Sequence, residues 1–144
     1  MIELVAADPT RHADLVRGWM REPHVVPWWG SEHVPEAHVQ PWIALEGGVA
    51  FAYVETYRVL DDPLAAYYDA RPDDLGFHLL VTGSFVGSGA PRRLVRQLLT
   101  HPGRVVCEPD ERNARMLAFC RALGGEVREI LELPDKRAAL VVWD

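Results

Sequence analysis

The chain carries only two cysteines, Cys107 and Cys120, so no disulfide framework organises it. It also lacks a basic surplus: 15 Lys and Arg stand against 21 Asp and Glu, a net charge of −6. That balance speaks against general binding to nucleic acid or to an anionic membrane. A local basic pocket built from Arg92, Arg93 and Arg96 remains open. Hydrophobic runs long enough to span a bilayer are missing. The opening "MIELVAADPTRHADL" has no basic segment leading into an apolar one, so no secretory signal is read and a cytoplasmic location is expected. Internal repeats, linkers and low-complexity stretches are missing as well. What is there is 144 residues, 49% apolar and 25% charged. That make-up predicts one domain over 1–144 with a core of its own.

Local patterns place the elements. "MIELVAA" alternates and reads as a strand. "DPTRHADLVRGWM" sets Ala13, Leu15, Val16 and Trp19 at helical spacing, with Asp8 as the expected N-cap and Pro9 in the first turn. "REPHVVPWWG" is a loop or short helical turn, and "SEHVPEAHV" a further turn interrupted by Pro35. "PWIALEGGVAFAYVETYRV" is two apolar runs joined by Glu-Gly-Gly, a hairpin. The acidic connection "LDDPLAAYYDARPDD" leads to the strand "LGFHLLV", the short helix "PRRLVRQLLT" and the strand "GRVVCEP". The helix "DERNARMLAFCRALGG" is expected to be capped by Asp110 and stopped by Gly124-Gly125. "EVREILEL" and "RAALVVWD" close the chain as strands around "PDK". This order predicts an α/β (α+β) fold, a mixed sheet covered by helices.

Alternation puts Gly76, His78 and Leu80 on one face of "LGFHLLV", with Phe77, Leu79 and Val81 on the other. Gly76 leaves space beside His78 for a ligand or a neighbouring backbone. An imidazole with an ordinary pKa of ~6.5 accepts a proton near neutral pH. The structural alternative is a core or edge histidine satisfied by a backbone carbonyl. In "SFVGSGAPRR", Gly87 and Gly89 let N–H groups turn toward an anion at a helix start, and Arg92 and Arg93 add charge. By itself such a bend is more often a plain turn. Tyr53, Glu55 and Tyr57 share a strand face, which suits a cationic or amino-acid-like ligand or, alternatively, a cross-strand polar pair. Trp28, Trp29 and Trp42 divide between core and pocket. His33 and His38, with Glu32 and Glu36, match no metal motif, and Pro35 interrupts the helix such a site would use. They read as a solvated face, with no metal expected.

The element order, with a glycine-rich strand-to-helix turn at its centre, resembles the GNAT acyltransferase superfamily over nearly the whole chain. "EPHVVPWW", "PWIAL", "AYVETYRV", "DDLGFHLLV", "VCEPDERNAR" and "LPDKRAALVV" are similar to one branch in particular. Its members acylate N-hydroxylysine or N-hydroxyornithine in hydroxamate siderophore biosynthesis. Aminoglycoside 6′-N-acetyltransferases share "HVVPWWG" and "PWIA" but not the "GFHLL" strand or "LPDK". The resemblance implies a GNAT-like, mostly antiparallel sheet flanked by helices. It also implies acetyl-CoA or a longer acyl-CoA as co-substrate, and a small-molecule amine or hydroxylamine acceptor, in a monomer or homodimer.

The same resemblance implies His78 as general base and Asp110 as its partner, orienting the ring or holding the substrate ammonium; the residue alone reads as a helix cap. It assigns the CoA cradle to Leu80, Val81, Gly87, Ser88, Gly89, Ala90, Arg92 and Arg93, with a backbone N–H near Val81 facing the thioester oxygen. Asn113 falls at the pantetheine arm. Lys136 falls at a substrate carboxylate or in an exposed turn. Trp28, Trp29, Tyr53, Glu55 and Tyr57 fall at the acceptor. Three positions depart from the pattern. Ser84 replaces Arg or Gln, Pro91 replaces a glycine and has no N–H, and Cys120 stands where a tyrosine commonly protonates the CoA thiolate, itself reading as a small buried residue. These departures leave a catalytically impaired acyl-CoA-binding domain as a further alternative.

Overall fold

The computed structural model describes residues 1–30 and 32–144; Ser31, in the segment expected to form a helical turn, lies outside the described residues. The elements are β1 (Glu3–Ala6), α1 (Ala13–Met20), α2 (Val26–Trp29), β2 (Gln40–Glu46), β3 (Val49–Arg58) and β4 (Leu75–Val81). They continue with α3 (Ala90–Leu98), β5 (Val105–Cys107), α4 (Ala114–Ala122), β6 (Glu126–Glu132) and β7 (Arg137–Trp143). Their order is the one read from the sequence. The seven strands run β1-β2-β3-β4-β5-β7-β6. Pairing is antiparallel at β1-β2, β2-β3, β5-β7 and β6-β7, and parallel at β4-β5. Two compact units divide the chain: Met1–Thr56 with His78–Gln97, and Tyr57–Phe77 with Leu98–Asp144.

In the first unit the β2-β3 hairpin turns on Gly47 and Gly48, at φ 58° and 80°. Both central residues of such a two-residue turn need positive φ, which glycine adopts without a Cβ penalty. The register sets Ile43 opposite Tyr53 and Val5 of β1 opposite Ile43. Trp19, Met20, Val25, Ile43, Tyr53 and Leu80 form the core there. The expected start of α1 needs correction. Asp8 accepts from the Thr10 and Arg11 N–H groups, each at 2.8 Å, and so caps a separate turn. The His12 ring holds the Asp8 N–H at 2.8 Å, and α1 opens only at Ala13. Among the described residues, 32–39 form no helix.

In the second unit β5 is buried along its length and pairs with β7, Val106 opposite Val142. The cap of α4 is Asn113, not Asp110: the Asn113 side chain accepts from Met116 N–H at 3.2 Å. Asp110 is unavailable because its carboxylate is occupied by Arg112. The stop is as expected. Gly124 (φ 89°) donates to Arg121 and Gly125 to Cys120, at 3.0 and 2.9 Å, satisfying the last carbonyls. Cys107 and Cys120 are buried free thiols with sulfurs 3.7 Å apart. Among the described residues no helix is long and apolar enough to cross a membrane.

Candidate active site

Strand β3 carries a carboxylate into an apolar interior. Tyr53, Glu55 and Tyr57 lie on one face and are 3%, 1% and 3% exposed. A carboxylate buried that deeply is costly unless donors surround it. Glu55 Oε2 accepts from the Tyr53 hydroxyl at 2.7 Å and meets His33 Nε2 at 2.6 Å, while Oε1 meets His78 Nδ1 at 3.1 Å. Burial alone would push the Glu55 carboxyl up. The hydrogen bonds from His33, His78 and Tyr53 outweigh it and hold the pKa at about 2. Burial and the same carboxylate push the Tyr53 phenol up, so it stays a donor.

An ionised carboxylate only accepts, so both imidazoles present N–H groups to it. For a neutral ring this leaves the lone pair of His33 on Nδ1. Trp29 stands edge to face with both rings, its centroid 5.0 Å from His33 and 6.1 Å from His78, and packs on Tyr53 at 5.8 Å. Trp29 is thus the tryptophan of the site. Trp28 is exposed, and Trp42 donates to Thr56 Oγ1 at 2.9 Å.

His33 was expected on a solvated face, and the structure corrects this: the ring reaches inward to Glu55. The available signal was Glu55 itself, since a glutamate between buried aromatics requires several donors. His38 pairs with exposed Glu36 at 3.5 Å.

The end of β4 is pinned by residues outside the expected set. His24 Nε2 bonds the Val81 carbonyl at 2.8 Å, and Glu22 accepts from Thr82 Oγ1 and from Gly83 N–H, both at 2.7 Å. Leu80 is in the core. The following turn is anchored on β3 by Phe85, stacked on Phe51 at 5.1 Å. Gly87 sits at φ 84°, where a side chain would be strained. Ser88 bonds back to the Phe85 carbonyl through N–H and hydroxyl, at 3.0 and 2.7 Å. At Gly89 a Cβ would lie 2.7 Å from the Arg93 guanidinium. Ala90 is buried, and α3 starts there with first-turn N–H groups that a helix leaves unpaired. Arg92 is exposed, whereas Arg93 donates to Glu46 at 2.9 Å, so its charge is already answered.

The remaining expected residues lie in the second unit. Gly76 does not leave an open space: a Cβ there would lie 2.3 Å from the Tyr57 ring, which fills it. The Tyr57 hydroxyl donates to buried Glu108 at 3.2 Å, and Lys136 pairs with the same carboxylate at 2.7 Å. Asp110 takes three bonds from Arg112, at 2.8–3.0 Å, and those hydrogen bonds hold its pKa at about 2. Asn113 spends its carbonyl oxygen on the α4 cap.

The fold is that of acetyltransferases. It matches a structure of the aminoglycoside acetyltransferase AAC(6')-Ib in complex with coenzyme A and kanamycin at a TM-score of 0.85, covering 99% of this chain and 94% of that one at 21% identity. The chain belongs to the GNAT family: the acetyltransferase (GNAT) domain pattern matches residues 8–133. It is an acyl-CoA-dependent N-acyltransferase. An N-hydroxyputrescine acetyltransferase of Acinetobacter baumannii is 30% identical, over 85% of this chain and 67% of that protein. A lysine N-acyltransferase, MbtK, of Mycolicibacterium paratuberculosis is 29% identical, over 92% and 69%.

Proposed function

We propose that this enzyme acylates the side-chain amine or hydroxylamine of a lysine- or ornithine-type acceptor for hydroxamate siderophore assembly, by direct transfer with His78 as general base. The observation that carries the reading is the buried, ionised Glu55 bonded to His78 Nδ1 at 3.1 Å. An amine attacks only after losing its proton, and attack leaves a second proton to remove. Glu55 orients the His78 ring through Nδ1 and stabilises the imidazolium that forms. This is the orienting role that the family resemblance implied for Asp110.

Acyl-CoA supplies an acyl group activated as a thioester. Gly87, Gly89 and Ala90, with the unpaired N–H groups at the start of α3, fit its phosphates, and Arg92 adds charge. Pro91 removes one donor from that turn. On the acceptor side stands half-buried Trp29, backed by buried Tyr53 and Glu55. The names of the relatives, which include a hydroxylated diamine and lysine, support a small amine acceptor. The test is CoA-thiol release with a panel of lysine, ornithine, their N-hydroxy forms, N-hydroxyputrescine and kanamycin. Turnover on an N-hydroxyamine that collapses in His78→Ala is the expected result. Acylation of kanamycin alone would replace the acceptor class.

A further inference from the structure

The geometry points to Glu22 and His24 as positioning residues for acyl transfer. Together they hold the end of β4 so that the Val81 N–H, the donor that the family resemblance sets before the thioester, keeps one direction. The inference rests on the acyl-CoA reaction under the proposed function, and on neither its acceptor nor its base.

The segment Glu22-Pro23-His24-Val25 follows α1. Val25 is buried in the same core as Leu80, which seats the segment beside β4, and the Pro23 ring fixes φ between the two polar side chains. His24 Nε2 meets the Val81 carbonyl at 2.8 Å. A carbonyl only accepts, so this nitrogen carries the proton. At the other end of the same peptide group, the Thr82 N–H donates to the Phe51 carbonyl of β3 at 2.9 Å. A planar peptide bonded at both ends cannot rotate. In an extended chain the N–H and C=O of one residue point to the same edge. The Val81 N–H therefore lies on the edge turned away from β3, the one His24 reaches. Glu22 holds the next residues: Oε2 accepts from Thr82 Oγ1 and Oε1 from the Gly83 N–H, both at 2.7 Å. Its Oε1 also lies 3.8 Å from His24 Nδ1, so one carboxylate steadies both the strand end and the ring. Val81 and Thr82 are half-buried and Gly83 is exposed, so water could satisfy the same polar groups. What the side chains add is direction. A donor to a developing oxyanion works only at about 2.7–3.1 Å from it, a tolerance that a solvated strand end does not hold.

Kinetics with acetyl-CoA and whichever amine of the panel the wild type acylates test this in the intact protein. His24→Leu should lower kcat roughly 10-fold while KM for acetyl-CoA stays within about twofold. His24→Gln, whose amide can donate to the same carbonyl, should recover most of the rate, which a purely steric role for the ring would not allow. Thr82→Val, which removes one bond to Glu22, should cost kcat about threefold. Nitrogen-15 NMR reads the geometry without turnover. Adding acetyl-CoA should shift the Val81 amide in wild type and in His24→Gln, and much less in His24→Leu. An unchanged kcat in folded His24→Leu would overturn the proposal, as would equal losses in the Leu and Gln variants or a Val81 amide that ignores acetyl-CoA in wild type. Acylation of kanamycin alone would fail the acceptor reading only, and the variants are then judged on kanamycin. Should no amine be acylated, the Val81 amide still decides.

Discussion

Glu55 and Asp74 are buried to the same degree, 1% exposed each. Each accepts from a tyrosine, Tyr53 at 2.7 Å and Tyr68 at 2.8 Å. In each, burial pushes the carboxyl up and hydrogen bonds overcome it. The difference is the cation. Asp74 is gripped by Arg104 at both oxygens, at 2.9 and 2.7 Å, with the Arg71 N–H adding a third donor. A guanidinium never gives up its proton at accessible pH, so that pair is permanent and structural. Glu55 is surrounded by imidazoles, His33 and His78, a side-chain type that can give up its proton where a guanidinium cannot. Equal burial therefore yields a rivet in one unit and, on the proposed function, a proton-handling site in the other.

The contrast can be broken most severely at Asp74. Asp74→Ala should cost about 3–5 kcal/mol, since it strands a largely buried guanidinium. Urea unfolding would measure the loss, and kcat of the remaining folded enzyme should be unchanged. Glu55→Gln should do the opposite, lowering kcat by ~10²-fold with a smaller effect on stability; comparable loss in both quantities would erase the distinction. The same variant sharpens the comparison in acid. The Glu55 carboxyl is held at about 2 in the folded chain against an ordinary 4.5, so the unfolded chain takes up that proton first. Its contribution is complete above pH ~4.5 and is lost as pH falls toward ~2. Wild-type stability should decline through that window more steeply than Glu55→Gln, as read by denaturation at stepped pH.

Gly76→Ala pushes a methyl into the Tyr57 ring and should cost about 1–3 kcal/mol, measured by thermal unfolding. Smallest of all, Asn113→Ala should cost ~1 kcal/mol through the lost cap, whereas Asp110→Ala should leave α4 capped. A larger loss at Asp110 would return the capping role to it.

Much of the site was legible at strand resolution. Period two put Glu55 between Tyr53 and Tyr57 on one face and His78 with Leu80 on another strand, which are local facts of a pleated chain. His33 was not legible, because its meaning lies in a contact 22 residues away and its neighbours Glu32 and Pro35 look like surface. Asp110 and Asn113 are both capping types three residues apart. The choice fell to Arg112, whose guanidinium folds back onto Asp110. Gly76 announced a close approach, but nothing in its surroundings named the Tyr57 ring as the occupant.

By itself the sequence determined the order of strands and helices, the Gly47-Gly48 hairpin and the glycine stop of α4. These depend on side-chain periodicity and on backbone angles that only certain residues accept. Only the tertiary structure decided which carboxylate holds His78, that a second histidine shares it, and that Lys136 and Arg93 already have acidic partners. Ion pairs join residues far apart in the chain, and their weight is set by burial, which exists only once the chain has folded.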